Sequence, residues 1–251
     1  MQLSPGKLLG MKRLADQNGI FKMTATDQRP PIKNPIAKHL NINEAPWGEV
    51  ARFKKMLIEN LQEHSTALLL DPHFAIPYSM NIFNPKKGLV VTLEDSIFLD
   101  TDGGRISQNI DNWSVSKIKR MGADAVKVLA WYRPDADKKV LEAQQQYVQK
   151  IGDECAKHDI LFLFELLVYP LSKDLYQTKE YVEMQNKKTD HVLESVREFS
   201  NEKYGVDVFK LESPVNVNKI ADSDLNAFKE MGNIAGRPWV MLSAGAGKEE
   251  F

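Results

Sequence analysis

Three apolar runs each hold a single charged side chain: Ala125-Val126-Lys127-Val128-Leu129, Leu163-Phe164-Glu165-Leu166-Leu167 and Val208-Phe209-Lys210-Leu211. A fourth charge, Asp27, closes the run 20–26 in the sequence Thr26-Asp27-Gln28-Arg29. Ions in apolar surroundings cost several kcal/mol unless they are paired, so such positions are not filled casually. A lysine in a desolvated pocket near another cation has a depressed pKa and, once neutral, attacks a carbonyl. A nearby carboxylate can shuttle the protons of carbinolamine formation, dehydration and carbon–carbon cleavage. Two lysines, a glutamate and an aspartate therefore suit a Schiff-base site. The competing reading is an internal Lys–Glu ion pair with only a structural purpose. Spacing alone does not say which lysine is the nucleophile.

Other chemistries are poorly supplied. His39, His64, His73, His158 and His191 show neither His-x-His nor His-Glu-x-x-His spacing, so no metal is expected. Only His73, after Asp71-Pro72, falls near a strand end, while His158 and His191 lie in helical patterns and read as surface. The one cysteine, Cys155, excludes an intramolecular disulfide and reads as a core residue of its helix. Lys plus Arg number 33 against 34 Asp plus Glu, a net charge of -1. That balance offers no field to a nucleic-acid backbone or an acidic membrane surface. The longest apolar run, 160–171, contains Glu165 and is too short to span a bilayer as a helix. The first residues lack the apolar stretch of a signal peptide. The expected location is the cytoplasm.

These side chains need elements to hold them. Short apolar runs alternate with longer periodic ones, giving candidate strands at 20–26, 67–70, 89–91, 125–129, 161–167, 206–211 and 239–242. Helical spacing covers 49–63, 113–121, 136–158 and 179–200. The third of these is the clearest, with Val140, Leu141, Tyr147, Val148, Ile151 and Cys155 on one face and Asp135 or Asp137 placed to cap it. Gly122 ends the second. Strands that are apolar throughout are those buried on both faces of a parallel sheet. Their alternation with helices implies βαβ crossovers. No Gly-x-Gly-x-x-Gly follows the first strand, so an α/β (β/α)8 TIM barrel is favoured over a doubly wound open sheet. Barrel enzymes gather catalytic groups at the C-terminal strand ends, where the four charges are expected. Residues 1–251 read as one barrel domain. Seven strands are found where closure needs eight, so the expectation is that the chain lacks the last βα unit.

Longer stretches then become specific: GIFKMTATDQRPPIK, STALLLDPHFAIP, WSVSKIKRMGADAVKVLAWY, IGDECAKHDILFLFELLVY, VDVFKLESPVN and WVMLSAG. On these, in order over nearly the whole chain, the sequence resembles the class I tagatose 1,6-diphosphate aldolase family, which includes the sulfofructosephosphate aldolases. The resemblance implies a (β/α)8 barrel and a class I aldehyde-lyase. Such an enzyme cleaves a ketose phosphate or bisphosphate, such as tagatose 1,6-bisphosphate, into dihydroxyacetone phosphate and an aldehyde, without a cofactor. By the same resemblance Lys210 is the Schiff-base lysine and Glu165 the general acid/base. Lys127, Asp27 and Gln28 contact substrate hydroxyls or the carbonyl. Ser243-Ala244-Gly245 matches the loop that binds one anionic end of the substrate, with Ser243 and Gly245 the residues concerned. Arg29 is a weaker candidate for the other end.

Two departures bear on the substrate. Thr26 and Pro30 stand where the family has Phe and Gly, and family members continue into an eighth strand with a Gly-Arg phosphate motif. A sulfonated sugar therefore stays open, as does a transaldolase using the same lysine. A sugar-phosphate-binding regulatory protein is the reading from another class. It is disfavoured because a binder has no need of Lys210, Glu165 and Lys127 together. The expected partner is a small-molecule sugar phosphate, with no nucleic acid and no membrane. Homo-oligomer assembly is left open.

Overall fold

The computed structural model describes residues 3–171, 189–215 and 220–242. In chain order its elements begin with α1 (Pro5–Leu14), β1 (Met23–Ala25), α2 (Pro30–Leu40), α3 (Trp47–Leu61), β2 (Ala67–Leu70), α4 (Ala75–Ser79) and β3 (Gly88–Thr92). Next come β4 (Leu99–Thr101), β5 (Gly104–Ile106), α5 (Val115–Arg120), β6 (Ala125–Trp131), α6 (Lys138–Lys157) and β7 (Leu161–Leu167). The last are α7 (Thr189–Phe199), β8 (Val208–Leu211), α8 (Leu225–Ala235) and β9 (Trp239–Met241). The chain forms two compact units. One takes Met1–Ser96, Ile110–Lys127 and His158–Leu161; the other takes Ile97–Asn109, Val128–Lys157 and Phe162–Phe251. Strand β6 begins in the first and ends in the second.

In the first unit the strand order is β1-β2-β3-β6, all parallel. Every residue of β2 and β3 is buried, as runs without a polar alternation must be. The sheet is braced from below by Asp124, one residue before β6, whose carboxylate accepts the Leu89 N–H at 2.8 Å. Burial pushes that carboxyl up from the usual range, and Arg13 at 3.3 Å opposes the shift. Pro5 opens α1, where its missing N–H costs nothing. Asp159 meets the other orphan donors of that helix, accepting from Gly6 at 2.9 Å and Lys7 at 3.3 Å.

In the second unit the order is β6-β7-β8-β9. β7 and β8 are parallel with Phe164 opposite Phe209 and Glu165 opposite Lys210. Asp207 repeats the Asp124 device one residue before β8, accepting the Phe162 N–H at 2.8 Å. Successive residues face opposite sides of a sheet. Phe164 and Phe209 therefore share the face that packs on α7, with Phe199 4.9 Å from Phe164 ring to ring, while Glu165 and Lys210 share the other. The antiparallel hairpin β4–β5 also belongs here. Its Arg105 guanidinium lies 4.5 Å from the ring centre of Phe98, 4.7 Å from Trp131 and 5.1 Å from Tyr169.

Parallel strands alternating with helices make this an α/β chain of the (β/α)8 barrel class, with seven such strands among the described residues. Runs 67–70 and 161–167 are strands over the expected ranges. Helix α6 starts two residues later than expected, with Asp137 accepting the Lys139 N–H at 2.9 Å. The expected helix 179–200 is described from Thr189 onward. The hairpin was not foreseen, because Asp100 and Arg105 interrupt its two short strands and leave no apolar run. One placement is corrected. Lys127 is the third of seven residues in β6, not near its end. It is nonetheless level with Thr92, the last residue of β3, because β6 runs on past its shorter neighbour.

Candidate active site

In the first unit the charges meet at the strand tips. The Lys127 ammonium is 3.0 Å from Asp27 Oδ2 and 2.5 Å from Glu94 Oε1. Glu94 also accepts from the Thr92 hydroxyl at 2.6 Å. The Arg29 guanidinium donates to the Glu94 main-chain oxygen at 3.1 Å and lies 3.8 Å from its carboxylate. Arg29 Nε is buried without a hydrogen-bond partner among the described residues. All four charged side chains are buried, so each ion is held by its neighbours rather than by water. Gln28, between them in sequence, is partly buried.

A second buried pair, Lys54 with Asp71, lies in the same unit. Glu94, Lys54 and Asp71 are charged residues at this unit's strand tips that sequence reasoning missed. Glu94 falls two residues beyond β3 and Asp71 one beyond β2, so a search of strand ends, rather than strand interiors, would have found both. Lys54 sits on a helix, where a lysine gives no signal.

In the second unit Lys210 Nζ is 2.9 Å from Glu165 Oε1. Glu165 has no exposure and Lys210 9%, so the lysine is the member of the pair that can be reached. Glu165 is the one ion-pair partner of Lys210 among the described residues. Just beyond, the buried Glu212 accepts the Val168 N–H at 2.6 Å, tying the end of β8 to that of β7. The pair is thus fixed by the Phe164–Phe209 contact on one face and by a charge-assisted bond above it.

Ser243 and Gly245 lie outside the described residues. His73 is exposed, and Cys155 is buried. Among the described residues no group of three or more His, Cys, Asp and Glu side chains could hold a metal ion, and no helix is long and apolar enough to cross a membrane.

Residues 21–251 match the family model described as DeoC/LacD family aldolase. The chain belongs to the DeoC/LacD aldolase family. It is therefore an aldolase, a lyase, and every charged group of both clusters falls inside the matched segment. Tagatose 1,6-diphosphate aldolase 1 of Streptococcus mutans is 31% identical, with all of this chain matched to 79% of that protein. Tagatose 1,6-diphosphate aldolase 2 of Enterococcus faecalis is 32% identical, again over all of this chain and 77% of the relative. The resemblance read from the sequence motifs is met. Among solved structures, an archaeal fructose-1,6-bisphosphate aldolase with its catalytic Lys bound to the carbinolamine intermediate superposes with a TM-score of 0.64. It covers 96% of this chain and 82% of its own at 16% identity, a likeness of fold.

Proposed function

We propose that this DeoC/LacD family member is a class I aldolase that cleaves a ketose phosphate or bisphosphate, such as tagatose 1,6-bisphosphate, between C3 and C4. The products are dihydroxyacetone phosphate and an aldehyde. The observation that carries the reading is the pair Lys210–Glu165, an amine and a carboxylate 2.9 Å apart and shielded from solvent. Transfer of one proton along that contact supplies a neutral nucleophile and a general acid together.

The two lysines differ in a way that supports Lys210 as the nucleophile. Lys127 is held between two carboxylates, which favour its ammonium form; Lys210 has one, and that one can take its proton. Lys210 Nζ adds to the C2 carbonyl. The carbinolamine loses its hydroxyl as water, with Glu165 giving the proton. The iminium then draws in the electrons of the C3–C4 bond as the C4 hydroxyl yields its proton to the Glu165 carboxylate. The aldehyde departs. The enamine is protonated at C3, and hydrolysis of the imine frees dihydroxyacetone phosphate and Lys210. By family resemblance Lys127, Asp27 and Gln28 serve the hydroxyls and carbonyl, and Arg29, Ser243 and Gly245 the anionic ends. The expected setting is the cytoplasm, where sugar phosphates are held.

The test is borohydride reduction in EDTA, with a panel of ketose bisphosphates and sulfonated ketose phosphates. An irreversible adduct on Lys210, located by mass spectrometry of the digest and lost in Lys210→Met, is expected. An adduct on Lys127 would exchange the roles of the two lysines. No adduct with any member of the panel would end the class I reading.

A further inference from the structure

Lys54 has no part in the reading above and stands where a lysine is costly. Helix α3 buries Val50, Ala51, Lys54 and Ile58, so an ammonium with no exposure sits in the middle of an aliphatic face. Well-packed apolar replacements of buried ion pairs are often neutral or stabilising, and the fold alone does not call for this one. The ammonium reaches inward to Asp71 and lies 5.6 Å from the centre of the Phe74 ring. Burial pushes Lys54 below the ordinary lysine value, and the carboxylate of Asp71 pushes back. Asp71 is independently committed to its loop, accepting the N–H groups of His73 at 2.9 Å and Phe74 at 2.8 Å.

Asp71 is also the neighbour of Asp27. The parallel register sets Ala25 against Leu69, so Asp27 and Asp71 each stand two residues past a paired position on adjacent strands. Among the described residues, the charged groups about Asp27 include Lys127 from β6, Glu94 beyond β3, Arg29 from its own segment, Asp71 beyond β2 and Lys54 from α3. With Asp27 itself this makes three cations and three carboxylates, all buried. Taking Lys54 away removes a cation from about Asp27 and leaves these groups, Asp27 included, with one negative charge in excess.

We propose that Lys54 is a positioning residue of the reaction: from an outer helix it balances Asp71, so that Asp27 stays a carboxylate against Lys127. The inference rests on the aldolase reading, in which Asp27 touches substrate.

The acid limb of kcat/KM against pH tests it. Lys54→Met strips Asp71 of a donor and endangers folding, whereas Lys54→Gln keeps an N–H for Asp71 and removes only the charge. Loss of a nearby cation raises a carboxylate's pKa, so in Lys54→Gln the acid limb should move up by about 0.5–1 pH unit. In Lys54→Gln/Asp71→Asn the limb should return, because the cation and its carboxylate leave together. A Lys54 that serves only the fold would lower Tm and leave the limb at its wild-type position. That result, or a limb still displaced in the double variant, overturns the inference. Failure of the aldolase reading is recognisable separately, since the wild-type protein would then give no borohydride adduct, and the role of Lys54 would fall with it.

Discussion

Lys210 and Glu165 face each other across two strands, and the chemistry asked of them is unequal. In the proposed reaction Lys210 forms and releases a covalent bond, while Glu165 moves protons at each step. Replacing Glu165 with Gln keeps its size and a hydrogen-bonding group but ends proton transfer. The expected loss is about 10²–10⁴ in kcat, the usual worth of a general acid/base. Circular dichroism and Tm should show a folded protein, because the Phe164, Phe199 and Phe209 contacts behind the pair are untouched. An unfolded variant would point to the ion pair as a structural brace instead. A folded variant with full activity would remove Glu165 from the mechanism.

Among the elements, the β4–β5 hairpin is attached with little room to spare. Gly104 has φ +136, and a Cβ there would stand 2.2 Å from the Tyr169 hydroxyl. That hydroxyl is itself fixed, accepting the Arg105 N–H at 3.1 Å. Gln144 of α6 holds the other flank, accepting the Ser107 N–H at 2.9 Å and donating to the Trp131 carbonyl at 2.7 Å. Gly104→Ala combines backbone strain with overpacking and should cost about 2–4 kcal/mol in urea unfolding. Gly19→Ala is the matched comparison, with φ +77 and nothing within 4 Å of the added methyl, so only the backbone cost of about 1 kcal/mol is expected. Equal losses in the two variants would mean that the hairpin is not docked on Tyr169 as described.

At the scale of the molecule, stability should be governed at high pH by tyrosines. Tyr132, Tyr169 and Tyr204 are buried in the second unit, and burial holds each of them protonated above the ordinary value, with Glu198 adding to the effect at Tyr204. A raised folded-state pKa contributes stability that is whole below the unfolded value near ~10 and is lost as pH rises toward the folded value. Stability should therefore be unaffected by these groups to about pH 9 and fall above pH ~10 by up to about 1.4 kcal/mol per tyrosine per pH unit. Tyrosinate absorbance should rise with the loss of near-ultraviolet circular dichroism rather than before it. Ionisation of these three at the ordinary value in a still-folded protein would contradict the assignment.

Much of this was legible in the chain itself. Continuous apolar runs can only be strands buried on both sides, so the parallel α/β class and five of the seven strand interiors followed from composition and period. A lone charge in such a run marks itself by its desolvation cost, which is how Lys127, Glu165 and Lys210 stood out. Pairing was a different matter. Lys210 meets Glu165 because β7 and β8 are parallel neighbours in one register. Lys127 meets Asp27 and Glu94, residues 100 and 33 positions away, because β6 outlasts β3 and leaves its lysine level with the tips. Register and strand length are set by packing between elements, which no local pattern encodes. Lys54 is the limiting case. On a helix its type and spacing are ordinary, and only the packing that brings α3 up to Asp71 and Phe74 turns a common surface residue into a buried cation.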